Sequence, residues 1–198
     1  MDDFLITFDV SDLFCRDSNE IELVKGKNVL YFATLGEDRV LYRILVNEKI
    51  EGVDKEIWYF YRIQSKYLAY CLGYARVDNE YLLIFSQNTY TVQDWFDSKY
   101  NRQIKKNKMI IEEFQKVLNT ILQIFKFLFK LNLYLDDCTL NDFFLSEQDD
   151  VQLYNLSSVQ QNNSKAHFIS LSKIFSVLLE REINVFTFEQ GFEALKFS

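Results

Sequence analysis

The chain has 198 residues, 48% of them hydrophobic, enough to supply a core for one large domain or for two small lobes. Its formal charge of −7 and isoelectric point near 4.9 argue against nucleic acid or an anionic membrane as the main partner, since both are bound through a positive face. Cys15, Cys71 and Cys138 are odd in number and lack a C-x-x-C spacing, which speaks against a disulfide framework or zinc knuckle and suits the reducing interior of a cell, cytoplasmic or nuclear.

No apolar run follows a basic start, and no stretch long enough to span a bilayer lacks charge, so no membrane span is expected. Proline is absent beside 19 Phe and 12 Tyr, so every loop must turn without proline's fixed φ.

Phe4 to Val10 is a candidate extra strand in an otherwise uninterpreted stretch, residues 1–25. From Asn28 to Val46, runs rich in Val, Leu, Tyr and Ile broken by Leu35-Gly36-Glu37-Asp38 predict a hairpin. Apolar residues at Ile57, Phe60, Tyr61 and Ile63 predict a helix over Asp54 to Lys66. Tyr67 to Tyr74 and Glu80 to Ser86 then suit a second hairpin turning over Ala75 to Asn79, giving the order β-β-α-β-β. Beyond Ser86, Thr91 to Lys99 suits a short helix, and Met109 to Leu131 carries a helical stripe that includes Val117, Ile121, Phe125 and Leu128. The basic run Arg102 to Lys108 reads as a solvated link ahead of it. Phe143 to Leu145 and Val151 to Tyr154 flank a polar turn. A polar loop over Gln160 to Lys165 precedes a last helix over Ala166 to Glu180.

With the long helix leading into a loop and hairpin, this order resembles the protein kinase fold, and several motif positions fall at that family's spacings. Val40-Leu41-Tyr42-Arg43 is similar to the V-A-x-K strand, with Arg43 in place of the lysine. Glu56, thirteen residues on, matches the helix glutamate. Phe85 falls at the gatekeeper position and Ser86 at the hinge. Leu135-Asp136-Asp137-Cys138-Thr139-Leu140-Asn141-Asp142 overlays H-R-D-L-K-P-x-N without insertion. Asp137 thus sits at the catalytic aspartate and Asp142, five residues later, at the metal-binding asparagine, while Asn155, thirteen further on, sits at the aspartate of D-F-G.

The resemblance implies an α+β, bilobal protein-kinase-like fold: an extension over 1–25, a small antiparallel lobe with one helix over 26–86, and a shortened, mainly helical lobe over 87–198. It implies a nucleotide cleft at Arg43, Glu56, Phe85 and Ser86, a vestigial base at Asp137, and a weak metal pair at Asp142 and Asn155. No cofactor is required, and weak ATP/Mg²⁺ binding is the most the site would support. Leu135 and Asp136 replace the histidine and arginine. The glycine-rich lid is reduced to Gly26, and the activation segment has no room between Asn155 and Ala166. A plainer reading of Asp142 and Asn155, as a turn cap and a backbone-bonding loop residue, competes with metal binding.

The function expected from these substitutions is a non-catalytic, pseudokinase-like protein that binds a protein partner. The helix 166–180 is its candidate interface, because Phe168, Leu171, Ile174, Phe175, Val177 and Leu178 are apolar on several sides. The rivals are a small-molecule kinase of the choline or aminoglycoside type, whose V-L-V-R-I strand is similar to Val40 to Ile44, and a purely structural subunit. His167, the only histidine, excludes multi-histidine metal sites and reads as a helix-start or packing residue. Cys138 reads as incidental, its thiol held protonated by Asp136 and Asp137.

Overall fold

A computed structural model describes residues 6–9, 13–14, 30–45, 50–77, 80–86, 90–100, 108–146 and 150–179. Its hairpin, β3 (Leu30–Leu35) and β4 (Asp38–Leu45), closes through a two-residue turn in which Gly36 takes φ +61°, a conformation that glycine alone adopts without steric cost. Helix α1 (Ile50–Arg62) and strands β5 (Cys71–Val77) and β6 (Glu80–Ser86) follow in the expected order.

Helix α1 and strand β5 both differ from the expectation in where they start and end. Helix α1 starts and ends four residues early, because the Ser65 hydroxyl accepts the Tyr67 amide at 3.3 Å and the Ser65 carbonyl accepts that of Leu68 at 3.0 Å, turning the chain where the pattern still reads as helix. Residues 67–70 are thereby used in the turn. Strand β5 begins only at Cys71 and runs past Ala75 to Val77, with a bulge between Cys71 and Gly73.

Strands β1 (Ile6–Phe8) and β2 (Leu13–Phe14) flank this set in a six-stranded sheet of order β1-β5-β6-β4-β3-β2. The strand foreseen at Phe4 to Val10 is β1. It pairs parallel to β5, so the sheet is mixed and not purely antiparallel as expected. Strands β1 and β5 are far apart in sequence, and only a hairpin connection forces antiparallel pairing. Strand alternation places Leu41, Arg43, Leu83 and Phe85 on the face that meets α1. Val40, Tyr42, Leu82 and Ile84 form a second buried cluster on the other face.

The chain divides into two compact units, residues 1–90 and 91–198. In the second, Thr91 at the end of β7 (Tyr90–Thr91) starts helix α2 (Val92–Tyr100): its hydroxyl and amide bond the Asp94 carboxylate at 2.7 and 3.3 Å while its oxygen accepts the Asp94 amide at 3.1 Å. Helix α3 (Lys108–Lys130) buries Val117, Ile121, Ile124, Phe125 and Leu128 along one stripe. It stops at Asn132, whose left-handed φ of +55° redirects the chain into β8 (Leu133–Leu135).

A single 3-10 turn (Leu140–Asp142) leads into the hairpin of β9 (Phe143–Leu145) and β10 (Val151–Leu153). The loop expected over Gln160 to Lys165 is instead strand β11 (Val159–Gln161), paired with β8, followed by helix α4 (Ser164–Leu179). Asn163 caps α4 by accepting the Ala166 amide at 3.2 Å, which moves the helix start ahead of Ala166. Helix α4 also buries Phe168, Leu171, Ile174, Phe175 and Leu178, leaving Val177 exposed. The apolar surface expected there is thus core, because α4 packs on α3 and β8 within its own unit.

Gly26, Cys15, nearly all of the basic run Arg102 to Lys108 and most of 1–25 lie outside the described residues. Among the described residues no helix is long and apolar enough to cross a membrane.

Candidate functional site

Arg43 sits in the middle of β4, opposite Leu30 on one neighbour and Leu83 on the other. The pleat aims its side chain at α1, whose buried side carries Glu56, Tyr59 and Phe60 at helical spacing. There the Arg43 guanidinium donates to the Glu56 carboxylate, with the two side chains 0% and 1% exposed. A surface ion pair would contribute little. This one is enclosed, so each charge depends on the other for solvation that water no longer supplies.

Phe85 lies on the same face, its ring edge-on to Phe60 at 5.4 Å between centroids. Arg43, Glu56 and Phe85 are thus brought together on the α1 face. Ser86, one residue on, falls on the opposite face beside Val40, and its amide donates to the Tyr70 carbonyl at 3.1 Å. Cys71 feels the ion pair as well: its thiol is pushed up to about 12, first by burial and in smaller part by Glu56, with the Gly73 carbonyl and Arg43 acting the other way.

In the second unit, Asp142 and Asn155 meet. The Asn155 amide nitrogen donates to Asp142 Oδ1 at 2.5 Å, and both side chains are buried. Asp142 Oδ2 accepts the Thr139 amide at 2.7 Å and the Thr139 hydroxyl at 3.1 Å. The Asn155 carbonyl oxygen accepts the Ser157 hydroxyl at 2.7 Å and its amide at 3.1 Å. Backbone reinforces the pairing, the Tyr154 amide donating to the Asp142 carbonyl at 3.0 Å.

Mg²⁺ demands near-octahedral oxygen ligation. Here one carboxylate is engaged at both oxygens, and the amide turns its nitrogen, not its oxygen, toward that carboxylate. The set as it stands does not fit the ion. Among the described residues no group of three or more His, Cys, Asp or Glu side chains is placed to hold a metal. The geometry is that of a latch joining the 3-10 turn to the end of the β9–β10 hairpin.

Asp137 stands apart from this latch. It adopts φ +52°, a left-handed conformation that a short polar side chain tolerates, and turns its carboxylate outward to the Lys173 ammonium at 3.1 Å. Asp136 accepts the Gln160 side-chain amide at 3.0 Å.

The loop from Leu135 to Cys138 is held by one face of α4. His167 Nδ1 accepts the Leu135 amide at 3.0 Å, Ser170 Oγ accepts the Cys138 amide at 3.2 Å, and Lys173 pairs with Asp137, so residues three apart grip successive parts of the loop. His167 Nε2 donates to the Phe125 carbonyl at 3.0 Å, which sets the neutral tautomer. Burial lowers its pKa to about 4, partly offset by that bond. Cys138 is pushed well above the ordinary thiol range, first by burial and then by Asp142, with the Thr139 carbonyl acting the other way and Asp137 adding a smaller upward push. The expectation named Asp136 and Asp137 as that cause and overlooked Asp142.

Sequence reasoning missed the roles of Ser170 and Lys173 and understated that of His167. The available signal was three polar residues spaced i, i+3, i+6 in a helix otherwise apolar on that side. No known protein family's sequence profile matches the chain, and no curated protein matches it either.

Proposed function

We propose that this α+β protein is a non-catalytic, kinase-like binding protein that acts through contacts with a protein partner. The observation that carries this reading is the latch: the carboxylate and amide standing at the family's two metal positions spend their polar atoms on each other and on Thr139 and Ser157. Phosphoryl transfer needs those positions free to hold ions that bridge the phosphates. The Arg43–Glu56 pair, at the expected thirteen-residue spacing, supports the kinase-like part of the reading. An arginine fork locked onto a buried carboxylate is a structural strut, and it substitutes poorly for a lysine that must also reach phosphate.

Thermal melts with millimolar ATP, with and without Mg²⁺, test the proposal, because a ligand that binds only the folded state raises its stability. The expected outcome is no Mg²⁺-dependent rise. Asp142→Ala should lower stability by about 1–3 kcal/mol in every condition, since it strips buried donors of their acceptor. A metal-dependent rise that Asp142→Ala abolishes would overturn the proposal and restore the phosphotransferase reading.

A further inference from the structure

The first unit contains a hollow of about 500 Å³ at the C-terminal end of α1, within the range in which compact ligands and anchoring side chains are buried. Phe60, Leu68 and Ala69 are its buried apolar residues, while Tyr61 and Tyr70 line it nearer to solvent. Tyr70 is 68% exposed, and Trp58, one turn back from the end of α1, is 46% exposed. The Arg62 guanidinium joins them, lying 5.8 Å from the Tyr61 ring centre and 5.9 Å from that of Trp58. Lys66 lies over Tyr67 at 5.2 Å, on the segment that lines the hollow through Ser65.

Three features make this more than an unpartnered patch. Its exposed residues are Trp, Tyr and Arg, the types that carry most of the energy at protein interfaces. Among the described residues no Asp or Glu lines the hollow, and the nearby cations Arg62 and Lys66 are exposed, although the chain as a whole has a charge of −7. The Arg62 guanidinium also lies near two rings, and its planar, pre-organised fork loses less entropy per hydrogen bond when it pairs with a carboxylate.

We infer that this hollow docks an acidic segment of a partner protein, with an aromatic side chain of that segment seated against Phe60 and Leu68 and flanking carboxylates paired with Arg62 and Lys66. The inference rests on the protein-binding reading above and supplies its surface. Helix α4 is not that surface, since its apolar side chains other than Val177 are already covered.

The test is selection of phage-displayed random peptides on the intact chain, followed by fluorescence anisotropy of the enriched peptides. Enriched sequences should place an aromatic residue among Asp and Glu, and bind more weakly as salt rises. Arg62→Glu should weaken binding at least tenfold and Tyr70→Ala several-fold. Both residues are exposed, so the melting temperature should be kept, and Lys173→Ala in the other unit should change nothing. Failure to enrich, enrichment of sequences without acidic residues, or affinity indifferent to Arg62→Glu would overturn the inference. The parent reading is read out separately: a metal-dependent nucleotide shift sinks it whatever the peptides do, whereas peptides that bind elsewhere on the chain sink only this site.

Discussion

Two ion pairs, one in each unit, are physically opposite. Arg43–Glu56 is sealed between β4 and α1, whereas Asp137 and Lys173 are 84% and 60% exposed. In the first, desolvation makes each partner indispensable to the other. In the second, water and salt already solvate both charges, so the contact orients a loop more than it stabilises the fold.

The largest effect should come from breaking the enclosed pair. Glu56→Ala or Arg43→Ala leaves a buried charge without its counterion, and each should cost about 3–5 kcal/mol in denaturant melts. The double change Arg43→Met with Glu56→Leu should cost less than either single change, because the stranded charge is then gone. Equal or additive losses would show that the pair's contribution is packing.

A smaller, pH-gated effect should come from His167. The rings of Phe125, Phe129, Tyr134 and Phe168 surround its imidazole. Its pKa falls from about 6.5 when unfolded to about 4 when folded. The unfolded chain therefore takes up a proton first. The stability contributed by neutral His167 is complete above about pH 6.5 and declines as pH falls to about 4, by on the order of 3 kcal/mol. His167→Gln should remove this one-proton component from the stability–pH curve, measured against wild type so that carboxylate titration cancels. An unchanged slope would place the acid sensitivity elsewhere.

The smallest effect should come from Lys173→Ala. It should leave the melting temperature within experimental scatter at physiological salt, yet raise hydrogen exchange at Asp137 and Cys138, whose loop loses one of its three α4 contacts. A large loss of stability would show that the exposed pair behaves like the buried one.

Much of the architecture was legible before any coordinates. Gly36 between two β-rich runs announced a hairpin, and the apolar stripe around Val117, Ile121 and Phe125 announced α3, because turn chemistry and periodicity are local properties of the chain. The meeting of Arg43 with Glu56 was legible as a thirteen-residue spacing, but its burial was not. A charged side chain on a strand looks the same in sequence whether the helix that faces it covers it or leaves it wet. Strands β8 and β11 were missed for a related reason: Leu133–Leu135 continues the apolar composition of α3, and Val159–Gln161 shows only one buried position, so their pairing with each other is the only signal.

Sequence alone thus determined much of the element order, the net charge of −7 and the candidate positions Arg43, Glu56, Asp137, Asp142 and Asn155. Tertiary structure decided what those residues do. It enclosed one ion pair and exposed the other, closed Asp142 and Asn155 into a latch, and buried the α4 side chains that the pattern offered as an interface. The reason is physical: a side chain's charge and its hydrogen-bonding capacity travel with the sequence, whereas the dielectric around it and the partners within 3 Å of it are set by whatever the rest of the chain packs alongside.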